Sequence, residues 1–172
     1  WIGLMLDSLI STKFHKTLSR GRLTPRPRLD ARLDESLQAG CRLVLVTAPA
    51  GFGKSTLVSA WIENQAAPFS WLSLDSTDND PKQFLCYFVG ALQKIDETLG
   101  VDQVTRIQTA DSADTEAVYA DVMVHLVNEI AGLPVSFILV LDDCHLVKNP
   151  ILLRLLIFLF ERQPTQLRMI LL

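Results

Sequence analysis

No apolar run in this 172-residue chain reaches the ~18 residues that a membrane-crossing helix needs. The nearest, Ile151 to Phe160, is broken by Arg154 and reads as a buried helix. Cysteine is sparse. Cys41, Cys86 and Cys144 are widely spaced, odd in number and without metal-ligand spacing. That excludes a disulfide framework and a structural zinc site, and it points to reduced thiols in a cytoplasmic protein. Charge of one sign is lacking too: 16 basic against 19 acidic residues leave a formal charge of −3. Overall charge therefore carries no footprint for nucleic acid or a membrane surface. The opening Trp1-Ile2-Gly3-Leu4-Met5-Leu6 has neither the basic lead nor the small-residue cleavage site of a signal peptide. Repeats and low-complexity linkers are absent, and the length suits one domain. What the chain has in quantity is apolar residues, at 49% with a mean hydropathy of +0.26, enough for a sizeable core.

Apolar periodicity predicts alternating elements. Helices are expected over Leu29–Gln38, Gly53–Gln65, Gln83–Ile95, Glu116–Ala131 and Ile151–Glu161. Short apolar strands are expected over Arg42–Thr47, Phe69–Leu74, Phe137–Leu141 and Leu167–Leu172. Leu99 to Thr115 is polar and reads as a loop with a short helix. Strands of this kind alternating with helices mean an α/β fold, a parallel sheet covered on both faces. Ligands then sit at the carboxyl ends of the strands. Trp61 and Trp71 read as core.

The segment Ala48-Pro49-Ala50-Gly51-Phe52-Gly53-Lys54-Ser55 carries the most chemistry. It lies between a strand, Leu43-Val44-Leu45-Val46, and a helix that opens with Thr56-Leu57-Val58. Strand, Gly-rich loop, Gly-Lys-Ser and helix in that order form a phosphate-binding P-loop. Glycines let the backbone curl so that its N–H groups face phosphate oxygens, and the helix start adds free donors and a positive dipole end. Pro49, Ala50, Gly51, Phe52, Gly53, Lys54, Ser55 and Thr56 are therefore the candidate ATP- or ADP-binding residues. Lys54 would reach the β- and γ-phosphates, and the Ser55 hydroxyl would ligate Mg²⁺. Ala48 departs from the glycine that the general pattern has at its first position. The plain alternative is a Gly-Pro turn with a surface lysine.

That alternative leaves Phe137-Ile138-Leu139-Val140-Leu141-Asp142-Asp143 unexplained, a buried-type strand running into two carboxylates. Asp142 would hold Mg²⁺ through water, and Asp143 would orient or deprotonate an attacking water, so Lys54, Asp142 and Asp143 are the candidate catalytic residues. Asp-Asp as a simple turn cap is the competing reading. His145 could sense a γ-phosphate or hydrogen-bond within its own turn. Asp78-Asn79-Asp80-Pro81 reads as a turn leading into a helix rather than as a metal site.

These pieces resemble the nucleotide-binding domain of the large ATP-dependent, LuxR-type bacterial transcription activators of the MalT family, STAND ATPases related to the AAA+ proteins. The resemblance spans nearly the whole chain. It rests on Leu9-Ile10-Ser11-Thr12-Lys13-Phe14, Arg22-Leu23-Thr24-Pro25-Arg26-Pro27-Arg28-Leu29, Thr47 to Leu57, Trp71-Leu72-Ser73-Leu74-Asp75, Asp78-Asn79-Asp80-Pro81 with Phe84, and Leu141-Asp142-Asp143-Cys144-His145-Leu146. Ala48 is ordinary in that family, whereas Cys144 replaces a common aromatic residue.

The resemblance implies a three-layer P-loop NTPase core over residues 41–172, preceded by an arm and helix over 1–40 that pack on the nucleotide site. It implies a switch: ATP binding favours an active, self-associating form, and slow hydrolysis restores an ADP-bound resting form. It puts the Pro25–Arg28 stretch, Arg28 above all, against the adenine or ribose. The other basic residues of the arm, Lys13, Lys16, Arg20, Arg22, Arg26 and Arg32, read equally well as a solvated segment. In related sheets the fourth strand lies between the P-loop strand and the acidic strand. The expectation is a chain cut in or after that fourth core strand, with the P-loop strand as an apolar edge, poor solubility and weak hydrolysis. DNA contact would belong to a C-terminal helix-turn-helix beyond this sequence. A P-loop kinase of a small metabolite, and a nucleotide-binding remnant without turnover, are the alternatives.

Overall fold

The computed structural model describes residues 9–16, 25–110 and 115–172. Arg20, Arg22, the opening Trp1–Leu6 stretch and part of the loop expected before Thr115 lie outside them. The described residues form four strands, β1 (Leu43–Leu45), β2 (Phe69–Ser73), β3 (Phe137–Asp142) and β4 (Leu167–Leu171). With them are six α-helices, α1 (Pro27–Gln38), α2 (Lys54–Ile62), α3 (Pro81–Leu92), α4 (Val101–Thr109), α5 (Thr115–Ala131) and α6 (Pro150–Glu161). The expected elements are all present, with ends moved by a few residues. The low-pattern stretch after Leu99 holds the two-turn helix α4.

The sheet is parallel throughout, in the order β1-β4-β3-β2. The strand carrying Asp142 is thus central, and β4 separates it from the P-loop strand, as the resemblance implied. Period-two alternation sorts the side chains between two cores. Phe137, Leu139 and Leu141 of β3, with Leu167 and Met169 of β4, join the core under α3, α4, α5 and α6. Ile138, Val140 and Ile170 face the smaller core under α1 and α2, with Leu33, Leu37, Val58, Trp61, Ile62 and Trp71. Three layers follow from this division, and β3 is buried along its whole length.

Helix ends are set by local chemistry. Asp80 caps α3 by accepting the Gln83 N–H, and Asn149 caps α6 by accepting the Ile151 N–H, each followed by proline at the first helical position. α1 stops at Gly40, whose φ is +76°. The Gly40 N–H returns to Leu37 and the Cys41 N–H to Ser36, which satisfies carbonyls the helix leaves open.

β1 is the exception to full coverage. Val44 and Val46 pack on the smaller core, but Leu43 and Leu45, on the opposite face, are 39% and 65% exposed. Leu153 and Ile157, one turn apart on α6, are exposed as well. The apolar edge expected for the P-loop strand is present among the described residues.

The N-terminal segment around Ser11–Phe14 lies on α3. Phe14 meets Tyr87 with ring centroids 5.9 Å apart, and Gly90 makes room for it: a Cβ there would sit 2.8 Å from the Phe14 ring. Lys13 is not the solvated residue that the basic arm allowed. It is 7% exposed, and its ammonium donates to both carboxylate oxygens of the fully buried Asp78, at 2.8 and 2.6 Å.

Candidate functional site

The loop between β1 and α2 passes through two left-handed backbone positions, Gly51 at φ +80° and Gly53 at φ +79°. A side chain there would cost roughly 1–2 kcal/mol of backbone strain, which is why glycine stands at both. The Phe52 N–H closes the turn onto the Pro49 carbonyl at 3.3 Å. Gly53 begins α2 with no side chain capping it. The first turn of α2 therefore keeps the partial positive charge of an open helix start. The Lys54 ammonium folds back to donate to the Ala48 carbonyl at 2.9 Å, across the loop.

β3 delivers the second half. Asp142 ends the strand at 3% exposure, and the Ser55 hydroxyl, in the first turn of α2, donates to its carboxylate at 2.9 Å. The same oxygen accepts the Asp143 N–H at 3.0 Å. Burial pushes the Asp142 carboxyl above its ordinary range, and the Ser55 bond partly offsets that. Asp143 then takes a left-handed conformation at φ 58°, the one non-glycine residue to do so among those described. It is exposed, whereas Asp142 beside it is buried. The Cys144 N–H bonds to the Leu172 carbonyl at 3.0 Å, which fixes the turn to the end of the neighbouring strand. The Cys144 thiol is pushed up to about 12 by burial, so it is a packing group rather than a nucleophile. His145 stays two-thirds exposed, with Nδ1 3.8 Å from an Asp143 oxygen.

One cavity of about 880 Å³ joins the two halves, a volume in the range of small-molecule sites. Ala50, Gly51, Gly53, Lys54, Ser55, Thr56, Asp143 and His145 line it, together with Thr47, Ala48 and the end of β4. Asp142 stands behind Ser55. Pro49 and Phe52 shape the loop without lining the cavity. The donor set suits a phosphate and a hard cation: an ammonium, an open helix start, a hydroxyl and two carboxylates.

Arg28 lies exposed in the first turn of α1. The arginine that reaches the loop is Arg26, whose guanidinium donates to the Phe52 carbonyl at 3.1 Å. It gets there because α1 is tied to α2: the Asp34 carboxylate accepts from the Trp61 indole at 2.8 Å and from the Gln65 amide at 3.1 Å. In the sequence Arg26 is one basic residue among several. Only its place at the start of a helix that begins with Pro27 sets it apart.

No family model matches the chain. Three curated relatives align with it over 164 residues, 95% of this chain. All three are HTH-type transcriptional regulators MalT, from Cronobacter sakazakii at 31% identity, Serratia proteamaculans at 33% and Klebsiella pneumoniae at 30%. The chain spans 17% of the length of these relatives.

Proposed function

Because the chain belongs with the MalT-type transcriptional regulators over the stretch it shares with them, we propose that it is the ATP-binding, slowly hydrolysing switch segment of such a regulator. The observation that carries the reading is the contact between Ser55 and Asp142. It brings the Gly51–Thr56 loop and the acidic end of β3 to one cavity. Each half alone is a common motif, and their meeting is what a metal-assisted phosphate chemistry requires.

In this reading the N–H groups of Gly51 to Thr56 cradle the phosphates, and Lys54 leaves the Ala48 carbonyl to neutralise the outer two. Ser55 and Asp142 would hold Mg²⁺. The ion supplies concentrated positive charge against the oxygens on which charge develops. Asp143, turned into the cavity, orients the attacking water and accepts its proton. Arg26 steadies the loop at Phe52 from the arm side, and Arg28 is left for the nucleoside. Low turnover suits a switch, in which the bound nucleotide, rather than the product, is the signal. Self-association in the ATP state and DNA contact would be properties of the whole regulator.

Calorimetry with ATP and ADP in the presence of Mg²⁺ tests the reading, on this chain and on Lys54→Ala. Saturable binding that the variant loses supports it. Binding that is absent, or unchanged in the variant, sinks it.

A further inference from the structure

The turn Asp78-Asn79-Asp80 sends three consecutive side chains to three different parts of the molecule. Asp78 points back to the N-terminal segment: it receives Lys13 and also the Asp75 N–H at 2.7 Å. Asp80 caps α3. Asn79 reaches across to the segment that follows the acidic turn. Its amide N–H donates to the Leu146 carbonyl at 2.7 Å. Its amide oxygen accepts the N–H groups of Lys148 at 2.6 Å and Asn149 at 3.0 Å. The Asn149 side chain returns a bond to the Asn79 carbonyl at 2.9 Å. Four bonds thus hold one asparagine to a stretch that begins three residues after Asp143. The start of that stretch is held at the sheet, by the Cys144 N–H on the Leu172 carbonyl and the Cys144 thiol on the Leu141 carbonyl, and Val147 is buried, so Asn79 secures its far end, from Leu146 to Asn149.

We propose that Asn79 is a positioning residue for the turn carrying Asp143, and that Lys13 holds the loop that carries Asn79. The docked N-terminal segment is thereby coupled to the site through one continuous set of polar contacts. Rotation of Asn79 would free two N–H groups and a carbonyl at once, so the 146–149 segment, which anchors the far end of the turn, has a held and a released arrangement rather than a graded one. The ammonium of Lys13 biases the balance from the far side. Without it the buried Asp78 carboxylate has no counter-charge, and the 75–80 loop must open to solvate it. The catalytic part of this proposal rests on the ATPase reading above, and the coupling part does not.

Hydrogen exchange on the whole chain tests the coupling without nucleotide. Asn79→Ala and, separately, Lys13→Met should each speed exchange of the Lys148 and Asn149 amides by roughly tenfold, the worth of about one lost hydrogen bond. The β3 amides should stay unchanged, and Lys13→Arg should restore protection. A Lys13→Met effect confined to residues 9–16 and 75–78, with the 143–149 stretch untouched, overturns the coupling. If Lys13→Met does not fold, Asp78→Asn replaces it with the same expectation. Turnover tests the positioning role where the parent chain hydrolyses ATP. Asn79→Ala should lower kcat by on the order of tenfold or more, while ADP affinity changes less than about twofold. Equal loss of both, or an unchanged kcat with a loosened turn, overturns it. A parent chain that does not bind ATP defeats the ATPase reading and the positioning role with it, and leaves the exchange result to decide the coupling.

Discussion

The Ser55 hydroxyl donates to the Asp142 carboxylate across 2.9 Å, and this bond joins the start of α2 to the end of β3. Residues 87 positions apart in the chain meet because the strand that separates β1 from β3 sets their spacing. In the proposed site the two oxygens share a cation. Ser55→Ala removes one ligand and leaves Asp142 with the Asp143 N–H as its remaining partner. Titration of ATP with and without Mg²⁺ should then show the Mg²⁺-dependent gain in affinity reduced on the order of 10–100-fold, with the Mg²⁺-free affinity little changed. An equal loss in both titrations would assign Ser55 to the phosphates instead.

Gly53 and Gly40 share a left-handed backbone, at φ +79° and +76°. Alanine at either should cost roughly 1–2 kcal/mol in urea unfolding, since the strain is local and the same. Only Gly53→Ala should weaken nucleotide binding, because Gly40 ends α1 away from the cavity. Its Cβ would meet nothing within 4 Å. The pair separates loop geometry from general destabilisation, and equal nucleotide affinity in both variants would count against the phosphate cradle.

The parts of this structure that were legible in the sequence are those written in periodicity and short-range motif. The β3 run Phe137–Leu141, the P-loop with its glycines, and the Asp78–Pro81 turn that leads into a helix depend on neighbours in the chain. So does the exposed apolar edge at Leu43 and Leu45, once the strand order is known. Lys13 and Asn79 were not legible in this way. Lys13 looks like any basic residue of an arm, and its burial depends on Asp78, 65 positions away. Asn79 looks like a turn former, which it is, and its second task depends on Lys148 and Asn149 arriving beside it from the far side of β3. Arg26 and Arg28 differ by two positions on a helix start. Which of them meets Phe52 is decided by the Asp34–Trp61 bond, a tertiary fact.

The ion pairs around Lys13 make stability depend on pH at both ends. Burial opposes the charge on Lys13, but its bonds to Asp78 and Asp75 prevail and raise it above its ordinary value of 10.5. Asp75 is held down to about 2, first by the Thr77 hydroxyl and then by Lys13. A raised lysine stabilises fully below 10.5, and that part is lost as pH climbs through the raised value. A depressed carboxyl stabilises above its ordinary 3.8, and that part fades as pH falls toward about 2. Urea midpoints against pH should therefore fall less steeply below pH 3.8 in Asp75→Asn than in the parent chain. Above pH 10.5 they should fall less steeply in a Lys13→Met, Asp78→Asn double variant. Parallel curves for parent and variants would mean that these contacts do not persist in solution.

Leu43 stands on the uncovered face of β1, 39% exposed, beside a strand edge with no partner among the described residues. An apolar, unpaired edge of this kind is a template for another chain. Lysine is the residue that protein edges use against such pairing, and Leu43, unlike Leu45, does not line the cavity. Leu43→Lys should therefore leave unfolding free energy within about 0.5 kcal/mol of the parent, as surface changes do, and nucleotide affinity unchanged. Sedimentation over a concentration series should show the variant less associated than the parent. Equal association would place the sticky surface elsewhere, and the Leu153–Ile157 stripe of α6 would be the next face to charge. A large loss of stability would mean that Leu43 is covered in solution, and that the open edge is closed by contacts this stretch of chain makes with itself.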